Sequence, residues 1–170
     1  MDIKRRIRDK LDTKYSGASC LFVPLTWHWA IKCYVHKKDR DKCYDMQKRA
    51  AEHKLGPDVR SFLFEVEMNV DIEELQDNLE FDWEMNHWTD EYNGKFYCYI
   101  TEIVELVSHD LDIHDDYLED IDDKFMEDYQ DEIDETSLVL YETLDFAFID
   151  DHVFNWGFKR GKLIPIDFGA

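Results

Sequence analysis

The last twenty-five residues, Phe146 to Ala170 (FAFIDDHVFNWGFKRGKLIPIDFGA), constrain this chain most. They put two short apolar runs on either side of Lys159-Arg160-Gly161, a spacing that closes as a tight hairpin between antiparallel neighbours. The end of a buried helix and a loop with Asp150, His152 and Asn155 come before it, and Asp167 sits at the tip of the second strand, Lys162 to Ile166. A hairpin sets its strand ends side by side, so Asp150, Asn155 and Asp167 are expected close together. Oxygen-bearing side chains grouped in this way can bind a metal ion or accept protons.

Asp150-x-x-x-x-Asn155, followed by a hairpin and then Asp167-Phe168-Gly169, resembles the catalytic loop and metal-binding element of the protein kinase fold. The variant Asp-x-His-x-x-Asn with Trp156-Gly157 after it is similar to the atypical branch of RIO-type, lipopolysaccharide-core and aminoglycoside kinases. The resemblance implies an α+β, protein kinase-like fold in which a small antiparallel-sheet N-lobe (1–105, with an acidic insertion at 71–93) precedes a truncated helical C-lobe (106–170) bearing the catalytic-loop hairpin. One kinase-like domain over 1–170 is the expectation. The chain stops one residue after Gly169, without an activation segment or the helices that floor a substrate site. Such a reduced form is expected of a compact phage or viral gene product.

A length of 170 residues is enough for one domain or two small lobes with a core. Apolar content of 44% with 15% aromatic opposes wholesale disorder despite a net charge of −20. That charge repels nucleic acid and acidic membranes, which argues against direct DNA or RNA binding and for a basic protein partner. No apolar run approaches a membrane span and the N-terminus is charged, so a soluble, cytoplasmic protein is expected. Cys20, Cys33, Cys43 and Cys98 form no metal-ligand spacing and read as reduced, partly buried thiols.

Earlier in the chain, Ile3, Ile7 and Leu11 recur at helical spacing in a basic segment, 1–14. A turn at 15–19 and two strands, Cys20–Leu25 and Trp27–Tyr34, follow as a hairpin. By itself Lys32 reads as a strand lysine with a solvated amine. Beside the C-terminal cluster, Ala30-Ile31-Lys32 resembles the kinase strand whose lysine contacts the α- and β-phosphates, with Gly17 and the hydroxyls of Ser16 and Ser19 in place of a glycine-rich loop. A helix is expected over Asp39 to Leu55, capped at Asp39 and stopped by Gly56-Pro57. On it, Asp45, Gln47 or Glu52 takes the place of the glutamate that pairs with the lysine in the family. Val59 to Val70 alternates as a strand, and Gly94 to Leu106 reads as a strand running into a connector. The resemblance makes Glu102 to Val104 the adenine-binding hinge.

Residues 110–135 hold fourteen acids and one lysine, with Leu118, Ile121, Phe125, Tyr129 and Ile133 at helical spacing. An amphipathic helix with an anionic outer face is expected there, followed by a second, apolar helix over 136–149. The resemblance implies ATP and Mg2+ as ligands and an enzyme acting on Ser or Thr in a protein. Asp150 would accept the proton of the attacking hydroxyl, Asn155 and Asp167 would hold the metal, and Lys32 would steady the phosphates. Asp151, beside Asp150, would raise the pair's apparent pKa or bind metal itself. Phe148 stands where typical kinases carry a bracing histidine. The alternative is a weak or inactive kinase-like protein that binds a basic partner through its acidic surface, as an inhibitor or a mimic of nucleic-acid charge.

Overall fold

The structure, a computed structural model, describes residues 2–11, 20–70, 92–107, 118–145 and 153–168. The expected turn with Ser16, Gly17 and Ser19, most of the acidic insertion, residues 110–117, and the loop with Phe148, Asp150, Asp151 and His152 lie outside them. The protein is α+β: three helices and two antiparallel sheets among the described residues. The described residues of 1–44 and 59–103 form one compact unit, and those of 45–58 and 104–168 a second.

In the first unit, helix α1 (Ile3–Leu11) precedes strands β1 (Leu21–Pro24) and β2 (Trp29–Tyr34). Helix α2 (Lys37–Glu52) then leads to β3 (Val59–Glu67) and β4 (Lys95–Glu102), and the four strands lie in the order β1-β2-β4-β3. Asp2 caps α1, its carboxylate accepting from the Arg5 N–H at 3.2 Å. Ile7 then buries itself in a cluster with Leu21, Val23, Ile31, Cys33, Phe96 and Cys98. Strand period two sends the alternate residues of β2 and β4 to the opposite face, where Tyr34 and Tyr99 meet Cys43 and Tyr44 of α2. None of the four cysteines is in a disulfide: Cys33, Cys43 and Cys98 are buried, and Cys20 is half-buried.

Helix α2 begins two residues earlier than the expected cap, with Arg40 donating to the His36 carbonyl at 3.1 Å. Asp39 lies instead in the first turn, where a carboxylate favours the positive end of the helix dipole. The C-terminus closes through Leu55 N–H on the Ala50 carbonyl at 2.8 Å, with Lys54 left-handed at φ 63°.

In the second unit, β5 (Glu105–Leu106) leads toward a long helix, α3 (Leu118–Leu144), and then a 3-10 turn (Val153–Asn155) and the hairpin of β6 (Trp156–Lys159) and β7 (Lys162–Pro165). Strand order is β5-β6-β7. Two helices were expected across 110–149, and one continuous helix is found over 118–144. Neither glycine nor proline interrupts that stretch, and the buried Thr136 at the expected break donates its hydroxyl to the Leu163 carbonyl at 3.4 Å. Along α3, Phe125 and Ile133 bury against Val153, Trp156 and Leu163, whereas Leu140 and Leu144 join Ala50, Leu55 and Phe168. No helix among the described residues is long and apolar enough to cross a membrane.

Candidate functional site

The hairpin of the second unit is built locally. Arg160 and Gly161 both have positive φ, 56° and 75°, between the paired Lys159 and Lys162; this is a two-residue turn whose twist matches that of the strands. Gly157 is needed for closeness: a Cβ there would lie 2.7 Å from the Glu105 carbonyl oxygen and 2.8 Å from Val104 Cγ2. Beyond the last paired residues, the Ile166 N–H donates to the Asn155 carbonyl at 2.8 Å. That bond extends the pairing by one step, so Asp167 follows immediately after the residue held by Asn155. Both Asn155 and Asp167 are half-buried.

Phe168 fixes the next position. Its ring is fully buried with Ala50, Leu55, Leu140 and Leu144, and a Cβ on Gly56 would come within 3.0 Å of it. At the turn end of the hairpin, Lys159 Nζ donates to Asp58 Oδ1 at 2.7 Å and to the Gly56 carbonyl at 3.2 Å. The backbone around Asp167 is thus held on both sides by bonds and packing within this unit.

In the first unit, Lys32 lies on β2, opposite Phe22 on β1 and Tyr99 on β4. The solvated-amine reading is overturned: Lys32 is only 6% exposed. It shares the tyrosine-bearing face of the sheet, because residues two apart on a strand point the same way and Tyr34 is its neighbour there. The Tyr34 and Tyr99 hydroxyls are 3.5 Å apart and the rings stack at 6.0 Å; Tyr44 meets Tyr99 edge-on at 5.5 Å. Burial pushes both phenols well above their ordinary value, while the nearby Lys32 ammonium pulls Tyr99 partly back.

This has a measurable consequence. Folded protein keeps the Tyr34 and Tyr99 protons above the ordinary phenol value of 10.0, whereas the unfolded chain releases them. Their contribution to stability is complete below that value and declines as pH rises through it. In an ultraviolet titration of the nine tyrosines, two are expected to ionise only together with loss of the near-ultraviolet circular dichroism. Ionisation of all nine in one step with the fold intact would refute the buried pair.

Of the other expected ligands, Glu102 and Val104 are half-buried at the end of β4. The Ile103 N–H between them donates to the His28 carbonyl at 2.9 Å, and the Glu102 carbonyl accepts the Thr101 hydroxyl at 3.3 Å. Two backbone groups of the expected hinge therefore already hold the sheet end. Asp45 and Glu52 of α2 are exposed, whereas Gln47 is fully buried and its Nε2 donates to the Pro57 carbonyl at 3.2 Å. Gly17, Ser19 and Asp150 fall outside the described residues.

No family model, curated protein or solved structure gives a significant match to this chain.

Among the described residues, no three of His, Cys, Asp and Glu gather into a metal site complete in itself. Asn155 and Asp167 offer an amide oxygen and a carboxylate, hard donors of the kind Mg2+ prefers. That ion normally completes its shell with water and phosphate oxygens, so donors of these two types are chemically compatible with it. Sequence reasoning missed the Tyr34–Tyr99 pair and the Lys159–Asp58 bridge. The first depends on strand register and the second on segments 101 residues apart, and neither leaves a local signal.

Proposed function

We propose that this chain is an ATP- and Mg2+-dependent phosphotransferase of reduced, protein kinase-like form that acts on a serine or threonine hydroxyl of a protein. The observation that carries the reading is the Ile166–Asn155 backbone bond, which keeps Asn155 and Asp167 at the same end of one hairpin while Phe168 is anchored in the core. Supporting it are the strand order β1-β2-β4-β3 with a helix between the second and third strands in sequence, and a buried lysine on β2.

In this reading Asn155 and Asp167 hold Mg2+, and Lys32 places positive charge on the α- and β-phosphates. Mg-ATP supplies a γ-phosphoryl group for transfer to an alcohol. Asp150 accepts the proton of that alcohol, and Glu102 to Val104 border the adenine. Alignment and charge neutralisation account for most of the acceleration in such transfers, so each residue acts by position.

The test is label transfer from γ-labelled ATP to a mixture of protein substrates, with Mg-ATP binding followed by calorimetry. Asp167→Asn and Lys32→Ala are each expected to lower transfer by about 100-fold or more, the scale seen when one preorganised electrostatic contact is removed. Undiminished transfer in Asp167→Asn would refute its metal role, and absence of any Mg-ATP binding would refute the enzyme.

A second reading rests on α3, where Glu127, Asp128, Asp131, Glu132, Asp134 and Glu135 are all exposed. They form an anionic surface suited to a basic protein partner, as in a kinase-like protein that works by binding. Salt-sensitive capture of a polylysine probe, together with no nucleotide binding, would favour it.

A further inference from the structure

Two thiols meet inside the first unit. In the pairing of β2 with β4, Cys33 stands directly opposite Cys98, and opposed residues of an antiparallel pair send their side chains to the same face. That face is the one on which α1 packs: both cysteines are buried in the cluster that includes Ile7. The Cys33 thiol is hydrogen-bonded to Cys98. Cα atoms so opposed lie about 4.5 or 5.5 Å apart, depending on the type of pair. A disulfide spans Cα separations of roughly 4.4–6.8 Å, so the backbone already allows one here. Cys20 and Cys43 pack with Tyr34, Tyr44 and Tyr99 on the opposite face, and the sheet itself separates them from this pair.

We infer that Cys33 and Cys98 form a modification site at which hydrogen peroxide closes a reversible cross-strand disulfide. One cysteine, as its thiolate, attacks a peroxide oxygen; an S–O bond forms, the O–O bond breaks, and the departing hydroxide takes up the proton that this thiol released, giving water. The second sulfur then attacks the resulting sulfenic acid. An S–S bond forms as the S–O bond breaks, and the hydroxyl leaves as water with the proton of the second thiol. The two sulfurs together lose two electrons, and the peroxide gains them. A dithiol reverses the change by exchange. The contact with Cys98, followed by burial, raises the Cys33 thiol well above its ordinary value. Little thiolate is therefore present, and the pair reacts slowly, after thiols in contact with water. Closure ties β2 to β4 one step from the Tyr34–Tyr97 end of their pairing. The site is independent of the phosphotransferase reading.

The experiment incubates the full chain with hydrogen peroxide, then unfolds it, alkylates the remaining thiols and reads a digest by mass spectrometry. A mass loss of two hydrogens is expected, carried by a peptide that links Cys33 to Cys98, with the circular dichroism of the folded chain retained and both thiols returned by dithiothreitol. A variant carrying Cys20→Ala and Cys43→Ala is expected to form the same link. Cys98→Ala is expected to form no link through Cys33, which ends instead carrying oxygen. Should Cys98→Ala fail to fold, the Cys20→Ala and Cys43→Ala variant decides the matter by itself. Cys33 and Cys98 both alkylated after Cys20 has been oxidised would overturn the inference. So would a link from either of them to Cys20 or Cys43, or a Cys33–Cys98 link that forms only once the fold is lost.

Discussion

Phe168→Ala is expected to lower folding stability by about 3–5 kcal/mol, the range for emptying a buried aromatic site. The ring is fully buried and packs with two parts of the chain more than eighty residues apart in sequence, Ala50, Leu55 and Gly56 in one and Leu140 and Leu144 in the other. Small residues line one side of it: Ala50 and Gly56 cannot extend into the space left behind, so the cavity stays largely open and the loss falls toward the upper end. Urea unfolding followed by circular dichroism measures this as a shift in midpoint at constant slope. A loss below about 1 kcal/mol would mean that the ring is not packed as described, since even modest core truncations exceed that. If the proposed phosphotransferase reading holds, the same variant is expected to weaken Mg-dependent nucleotide binding more than a distant core truncation of equal stability loss, because Asp167 is the preceding residue.

Trp156→Ala is expected to destabilise by a similar amount, about 3–5 kcal/mol. Among the described residues Trp156 is the largest fully buried side chain, and it sits among Val107, Phe125, Ile133, Val153 and Leu163 with its ring 6.4 Å from that of Phe125. It joins the first residue of β6 to the middle of α3, a contact that the hairpin turn cannot replace. Trp156→Phe should recover part of the loss, because a smaller aromatic ring keeps some of the packing area. If alanine and phenylalanine at this position gave equal stability, packing would not be the source of the effect.

The two variants also separate two ways in which the hairpin is held. Trp156 belongs to a cluster on the first half of α3, and Phe168 to one on its last turns and the end of α2. Between them run the pairing of β6 with β7 and the Ile166–Asn155 bond. Asn155 and Asp167 thus lie at a hairpin end braced at both sides, the rigidity that the proposed metal site would require.

Much of the local structure could be read from residue types. The hairpin was legible because Gly161, between two short apolar runs, readily takes the positive φ that such a turn needs, and the strand Val59–Glu67 was legible because its sequence alternates with a period of two. Helix α1 was visible in the spacing of Ile3 and Ile7. The continuity of α3 was harder to read, because its apolar positions change side: Phe125 and Ile133 serve one cluster, Leu140 and Leu144 another. A drift of the apolar stripe looks in sequence like the end of one helix and the start of the next.

What the sequence determined by itself is therefore most of the short elements and the placing of Asn155 and Asp167 at one hairpin end, since turn chemistry and short-range pairing are decided by neighbours in the chain. Only the tertiary structure decided that Lys32 is buried, that Tyr99 stands opposite it, and that Phe168 packs against Gly56. Each of these depends on strand order or on contacts between distant segments, and a one-residue change of register would send the same side chains to the other face of the sheet.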